Sequence, residues 1–336
     1  MNNLLALMGR WHTWRGRKPI RVHVKGFRDD EGPVPVRPTG CLLTGGIDSL
    51  FTVFRHKDEI GTIINVVHSA GSEDTAITAK PDPSLQTFSK HQGMELVTIE
   101  TNMLSAYPEE TDALASMAHG AGYAAAGHFL EQSVGKLLIS SSFTYDQLRP
   151  WGSHPDTDRL LSSASLTVDH IGAETNRFEK LRLLSTDPHF TQHLSICEHG
   201  PQPGDHQNCS ECQKCLRTMI GLDLLGISPE DAPTFDWSDY RPEKLKTFLL
   251  PGHVNCSEML EEAQRLNRSD IVDVLTDVID YSQKYHWIVR IELFLRKRLA
   301  AAGRHKAFLK RVRHFIYNLL NIKFRTLETR SELHDK

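Results

Sequence analysis

No apolar run in this chain approaches the roughly 18–20 residues that a membrane-spanning helix needs. Leu4–Met8 is too short for a signal-peptide core, follows no basic residue and precedes no small-residue cleavage site. A dense cysteine framework is also missing. Six cysteines among 336 residues do not make a secreted disulfide scaffold. Internal repeats and low-complexity segments are absent. With 39% hydrophobic residues and a formal net charge of −3, the chain is not globally disordered. These exclusions leave a soluble globular protein long enough for about two domains, expected in the cytoplasm.

Charge of one sign is missing from both ends. Residues 1–28 carry seven basic residues (Arg10, Arg15, Arg17, Lys18, Arg21, Lys25, Arg28) and no acid. Residues 286–325 carry eleven basic residues against Glu292 alone, a net of +10. Residues 326–336 net −1, so a total of −3 leaves −19 for residues 29–285. The near-neutral total is the sum of an acidic body and two basic ends.

Residues 1–38 read as a basic N-terminal extension that becomes rich in Pro and Gly, with Arg21–Lys25 alternating like an edge strand. From residue 40 the pattern is α/β. Apolar strands are expected at 41–43, 62–67, 95–99, 136–140 and 166–169. Helices are expected at 47–57, 84–92, 112–134, 177–184 and 216–225. Strands of this kind alternating with helices predict a parallel five-stranded sheet with helices on both faces. The polar stretch 141–165 is long for a loop in a compact domain, which marks it as functional. A short strand is expected to end at Cys197, and Asp231–Asp239 reads as a linker. From 229 to 336 the pattern is helical, in segments 241–249, 256–267, 269–284 and 286–320, the last a basic tail helix. The expected organisation is thus 1–38, 39–228 and 229–336.

Two motifs carry chemistry. Thr44-Gly45-Gly46-Ile47-Asp48-Ser49 lies between the first strand and the first helix of the α/β pattern. Two glycines permit a tight turn and close approach of the backbone to a ligand. The N–H groups of the loop and helix start then converge on an anion, aided by the helix dipole. Ser49 adds a hydroxyl, and Asp48 beside phosphates suggests a Mg²⁺ partner or an orienting role. No Lys follows the glycines, so this is not the G-x-x-x-x-G-K-[ST] loop, and it is not G-x-G-x-x-G. The second motif is Cys197-x11-Cys209-x2-Cys212-x2-Cys215. The C-x2-C spacing lets thiolates from one turn grip a tetrahedral ion, and further cysteines close the shell. Structural Zn²⁺ is the favoured metal, with an iron–sulfur cluster the competing one. Cys41 and Cys256 are expected to be buried and inert.

The loop resembles the PP-loop ATP pyrophosphatase superfamily, whose signature [S/T]-G-G-x-D-S matches at Thr44, Gly45, Gly46, Asp48 and Ser49. In combination with the cysteine knuckle, in this order, residues 40–227 resemble 7-cyano-7-deazaguanine synthase and its divergent relatives. The run Asn208–Thr218 looks like that group's knuckle, including Arg217 after the last cysteine. The resemblance implies an adenine nucleotide alpha-hydrolase-like fold that binds ATP, Mg²⁺ and Zn²⁺. It implies ATP contacts from Thr44, Gly45, Gly46, Asp48, Ser49, Lys180 and Arg177, with Asp48, Ser49 and Lys180 central to catalysis. It implies substrate contacts in the segment of Tyr145, Trp151, His154 and Asp156. The family's segment after the second strand is replaced here by His68–Asp74, and the Pro155-Asp156 pair sits in its own surroundings. A divergent branch acting on a different acid is therefore compatible with the sequence.

The implied reaction is adenylation of a carboxylate, a deazapurine acid in the resembled enzymes. Release of pyrophosphate is followed by attack of ammonia or an amine to give an amide, and by dehydration to a nitrile. Positive charge at such a site in an acidic body would come from Arg149, Arg159, Arg177, Lys180 and Arg217. Two other readings stay open. One is a tRNA-thiolating PP-loop enzyme. The other is a non-catalytic, zinc-braced nucleotide- or nucleic-acid-binding module. The basic tail helix suits nucleic acid, an anionic membrane surface or an acidic partner protein, and equally suits docking on the acidic body.

Overall fold

A computed structural model describes residues 2–14, 36–68, 83–103, 119–197, 199, 206–248 and 256–299. The alternating segment Arg21–Lys25, the start of the predicted helix 112–134 and the tail beyond Leu299 lie outside these residues. The chain divides into two compact units, Met1–Asn176 and Arg177–Lys336.

The first unit is built on five strands: β1 Thr39–Leu42, β2 Ile60–His68, β3 Glu95–Thr101, β4 Lys136–Ser140 and β5 Thr167–Ile171. All pairings are parallel, in the order β3-β2-β1-β4-β5. Four helices accompany them: α1 Asn2–Trp14, α2 Ile47–His56, α3 Pro83–Gln92 and α4 His119–Phe129. A one-turn helix, α5 Pro155–Asp158, interrupts the stretch predicted as loop. Right-handed crossovers place α2 and α3 on one face of the sheet and, after the strand order reverses, α4 on the other.

The burial of the central strands agrees with that arrangement. Leu42, Ile64, Leu137, Ile139 and Val168 pack with Ala124 of α4. Their pleat neighbours Cys41, Leu43, Ile63 and Leu138 are equally buried on the opposite face. Two-sided burial explains why these strands read as continuous apolar runs. It also explains the inert Cys41, whose thiol is pushed far up by desolvation.

The second unit holds α6 Arg177–Leu184, α7 Pro188–Thr191, α8 Gln213–Leu224, α9 Ser257–Arg265 and α10 Ser269–Leu299. Its core joins Phe178 of α6, Leu216, Ile220 and Leu224 of α8, Met259 and Ala263 of α9, and Ile271, Val274, Leu275 and Val278 of α10. Arg268, between α9 and α10, holds Asp223 of α8 through two bonds of 3.0 and 3.1 Å and also pairs with Asp270. Tyr240 donates to the same Asp223 at 3.0 Å.

Three expectations are corrected. Leu194–Cys197 forms no strand, because the N–H groups of Ile196 and Cys197 bond to a side chain, Asn208 Oδ1, at 2.9 and 3.1 Å instead of to a ladder. Asp231–Asp239 is no free linker, since Ala232, Thr234 and Phe235 are buried. The expected break at 285 is bridged by α10, a single helix of 31 residues, as no Gly or Pro interrupts it.

Candidate functional site

The loop after β1 is shaped by its own side chains. Gly45 has φ +78°, a left-handed conformation that favours glycine. Thr44 Oγ1 lies 3.3 Å from Ser49 Oγ, and the backbone N–H of Thr44 donates to that same Ser49 oxygen at 3.3 Å. Ser49 Oγ donates to Gly46 O at 3.0 Å. These bonds fold the loop back onto the first turn of α2. The N-cap is Gly46, with no side-chain cap, so no side chain from that position satisfies the N–H groups at the start of α2. Below the loop, Asn65 of β2 donates to Leu43 O at 2.9 Å.

The strand order gives this loop its position. The strand order reverses between β1 and β4, and the loop leaves the carboxyl end of β1 at that reversal. Ser140 at the end of β4 is hydrogen-bonded to Thr52 of α2, with 2.8 Å between the hydroxyl oxygens. In open α/β sheets, ligands bind in the crevice at such a switch point.

The segment after β4 supplies the neighbouring wall. Arg149 stacks its guanidinium over Phe143 at 4.4 Å and Trp151 at 5.3 Å from the ring centroids. His119 of α4 meets Trp151 and Tyr123 edge-on, each at 5.8 Å. Of the predicted substrate residues, Trp151 belongs to this cluster. Tyr145 is exposed on a single turn of 3-10 helix, Tyr145–Gln147. His154 is buried as the cap of α5, its Nδ1 accepting from the N–H of Asp156 at 3.0 Å. Burial holds the His154 imidazole below its ordinary value. Asp156 pairs with Arg10 of α1 at 3.4 Å, and Trp14 of α1 meets His154 edge-on at 5.1 Å. The N-terminal helix thus covers the segment after β4, a role the sequence did not disclose.

Beneath that segment Asp158 is fully buried. One carboxylate oxygen accepts from Ser153 Oγ at 2.6 Å and from His170 Nδ1 at 2.8 Å; the other accepts the N–H of His154 at 3.1 Å. Gly120 of α4 closes the arrangement, donating its N–H to Gly152 O at 2.8 Å. A Cβ on Gly120 would lie 2.4 Å from that oxygen and 2.9 Å from Asp158 Oδ1. The sequence offered no local signal for this network.

In the second unit, Arg177 and Lys180 stand on α6, one turn apart. Lys180 is only 2% exposed, so it does not belong to a solvated helix face. Arg217 lies on α8 and donates Nε to Gln213 O at 3.3 Å, while Arg159 is exposed just after α5.

Cys197, Cys209, Cys212 and Cys215 converge, with all four sulfur atoms within 4.8 Å of one another. Cys215 Sγ lies 3.4 Å from Cys212 Sγ and 3.8 Å from Cys209 Sγ. Four thiolates at a Zn–S distance of about 2.3 Å would stand about 3.8 Å apart in a tetrahedron. The donor set therefore fits a metal ion such as zinc. Ser210, with φ +57°, makes the turn that returns Cys212 toward Cys209. Hydrogen bonding with Cys209 and Cys215 draws the Cys197 thiol down to about 6. Against an opposing effect of Cys197, Cys212 and Cys215 draw Cys209 down to about 6. Cys215, whose neighbours favour its protonated form, is pushed up.

Asn208 holds the two limbs of this cluster together. Buried to 2% exposure, its Oδ1 accepts from Ile196 and Cys197, and its Nδ2 donates to Leu194 O at 2.8 Å and Thr234 O at 3.2 Å. That exhausts the side chain's hydrogen-bonding capacity. The sequence marked Asn208 as part of the knuckle but not as its clamp. The chain matches no protein-family model and no curated protein.

Proposed function

We propose that this protein is an ATP-dependent synthetase of the PP-loop type, with an adenine nucleotide alpha-hydrolase-like sheet. It adenylates a small carboxylate, releases pyrophosphate and passes the acyl group to ammonia or an amine. The observation that carries this reading is the Thr44–Ser49 loop at the carboxyl end of β1, at the strand-order reversal, with an α2 N-terminus that has no side-chain cap. Convergent N–H groups and a hydroxyl at a helix start suit phosphate oxygens.

Chemical necessity supports the same sequence of events. A carboxylate has no good leaving group, and adenylation supplies one in AMP. Attack of the carboxylate oxygen on the α-phosphorus expels pyrophosphate, and the loop N–H groups with Ser49 are suited to the charge that leaves. Mg²⁺ would neutralise phosphate oxygens, with Asp48 its partner. Positioning and charge stabilisation supply most of the rate in such transfers. The acid is an aromatic one, matched to the Phe143–Trp151 cluster and the Arg149 guanidinium. The four cysteines hold a structural zinc ion that braces the second unit.

The test is release of AMP and pyrophosphate by the full chain with Mg-ATP and a panel of heteroaromatic carboxylic acids, a deazapurine acid first. One acid of the panel should release both products in equal amounts. Asp48→Ala should lower the rate on the order of a hundredfold or more, the scale for losing a charge-stabilising group. Absence of ATP binding, or an unchanged rate in Asp48→Ala, overturns the proposal.

A further inference from the structure

Asp158 and His170 form a buried acid–imidazole pair whose outer nitrogen has no partner among the described residues. His170 sits next to last in β5, opposite Ile139 of β4. Its side chain is only 4% exposed and that of Asp158 is fully buried. Nδ1 lies 2.8 Å from the Asp158 carboxylate. Nε2 is buried and has no hydrogen-bond partner among the described residues. A buried polar atom left unsatisfied is costly and calls for an explanation.

The chemistry of the pair fixes what Nε2 can do. A carboxylate on Nδ1 keeps the ring proton there and leaves the Nε2 lone pair free. The carboxylate also favours the imidazolium that forms when Nε2 takes a proton. Ser153 cannot be the group that Nε2 activates, because its hydroxyl lies on the Nδ1 side, donating to Asp158 at 2.6 Å. His154 cannot substitute, since its Nδ1 already accepts from Asp156.

The sheet puts this base on the same edge as the proposed reaction site. Cys41 pairs with Leu138, and the next residue of β4, Ile139, pairs with His170. His170 therefore lies two strands from the end of β1, about 10 Å across the sheet at ~4.8 Å per strand, on the same carboxyl edge as the phosphate loop. The ionisable groups that face it include Asp158 of α5 and the cap residue His154, which in turn faces Asp156 and Arg10 of α1. Arg159 follows in the turn packed on β5, and His128 of α4 binds Leu161 O in that turn at 2.8 Å.

We propose that His170, oriented by Asp158, is the general base of the nitrogen-transfer step, a role that rests on the synthetase reading above. In that step the amine nitrogen forms a bond to the activated carbonyl carbon. The bond from that carbon to the AMP oxygen breaks, and the electron pair leaves with AMP. The surplus proton on nitrogen moves to His170 Nε2. Asp158 and Ser153 are positioning residues.

The experiment uses the full chain with Mg-ATP and the acid panel above, comparing wild type with His170→Asn. An Asn amide at 170 can still donate to Asp158 but has nothing in the place of Nε2. Pyrophosphate exchange into ATP should stay within about threefold of wild type, while amide formation from ammonium falls on the order of 10²–10⁴-fold. Hydroxylamine, largely unprotonated at neutral pH, should recover most of the lost rate as hydroxamate. Wild-type amide formation in His170→Asn overturns the proposal, as does an equal loss with ammonium and hydroxylamine, which marks a structural role. Wild type that neither exchanges pyrophosphate nor forms amide with any acid overturns the synthetase reading and this role with it. Nitrogen-15 NMR of the His170 ring gives a reading independent of activity. In the neutral ring a proton on Nδ1 and none on Nε2 is expected, and the reverse tautomer overturns the assignment.

Discussion

Replacement of Asn208 by Ala tests whether the cysteine cluster is held by its ligands alone or by the clamp beside them. The substitution removes four hydrogen bonds at once. Thr234 O keeps a partner, because the backbone N–H of residue 208 donates to it at 3.0 Å. Cys197 is half-buried, so water can reach part of its vicinity. The Ile196 N–H and the Leu194 carbonyl belong to buried residues and lose a partner outright. At about 1–3 kcal/mol for each orphaned buried group, the expected loss is about 3 kcal/mol. For a unit of this size that lowers Tm by about 6–12 °C. The limb bearing Cys197 also loses its tie to the limb bearing Cys209, so zinc should dissociate more readily.

The assay is calorimetric melting of zinc-loaded protein, together with transfer of zinc to a coloured chelator. Asn208→Asp separates the two halves of the clamp. It keeps the acceptor for Ile196 and Cys197, loses both donations and adds a negative charge near the thiolates. It should therefore bind zinc less tightly than wild type. Wild type and Asn208→Ala should differ less after zinc is stripped, since the two effects act on one element and are not additive. If Asn208→Ala melts within about 2 °C of wild type and retains its zinc equally, the clamp argument is refuted.

Two further predictions concern the first unit. Gly120→Ala forces a methyl group to within 2.4 Å of Gly152 O; α4 must then shift, and melting should fall by more than an ordinary helix Gly→Ala exchange would raise it, a helix interior gaining about 1 kcal/mol. An unchanged or higher Tm would show that α4 does not pack as described. His154 is held below its ordinary 6.5 by burial, so the unfolded chain takes up its proton first. Stability is then fully present above about pH 6.5 and declines as pH falls from there toward the depressed folded value. His154→Asn, which can still accept from Asp156 through its amide oxygen, should remove that part of the slope in chemical denaturation between pH 7.5 and 5. An unaltered slope counts against the assignment.

The parts of this molecule legible in the sequence are those written in consecutive residues. Strands buried on both faces appear as unbroken apolar runs, and β4 was placed residue for residue at 136–140. Cysteine spacing carries the cluster because three of its four cysteines lie within seven consecutive residues, 209–215. The short strand expected before Cys197 failed for the opposite reason. Its backbone partner is a side chain 12 and 11 residues further on, and no local pattern reports such a bond. The same holds for the Asp158–His170 pair, brought together across 12 residues by the return of the chain into β5, and for α1, whose contacts with Asp156 and His154 lie 146 and 140 residues away in sequence.

Strand order is the piece that turns a motif into a site. Thr44–Ser49 by itself is a glycine turn before a helix, and many such turns bind nothing. Two right-handed crossovers outward from β1 to β3, then a return to the far side of β1, make β1 and β4 neighbours whose connecting segments diverge to opposite faces. In open α/β sheets a crevice forms where that divergence occurs, and here the loop after β1 and the segment after β4 leave the sheet at that place. The second of these carries Arg149 on its aromatic rings and, through α5, the Asp158 that orients His170. The proposed synthetase reaction would need a phosphate-binding wall and a base-bearing wall, and the loop after β1 and His170 lie on one carboxyl edge. The acidic character of residues 29–285 is no obstacle to the proposed anionic ligand, because the loop would bind it through backbone N–H groups, whose number and direction are set by the fold rather than by net charge.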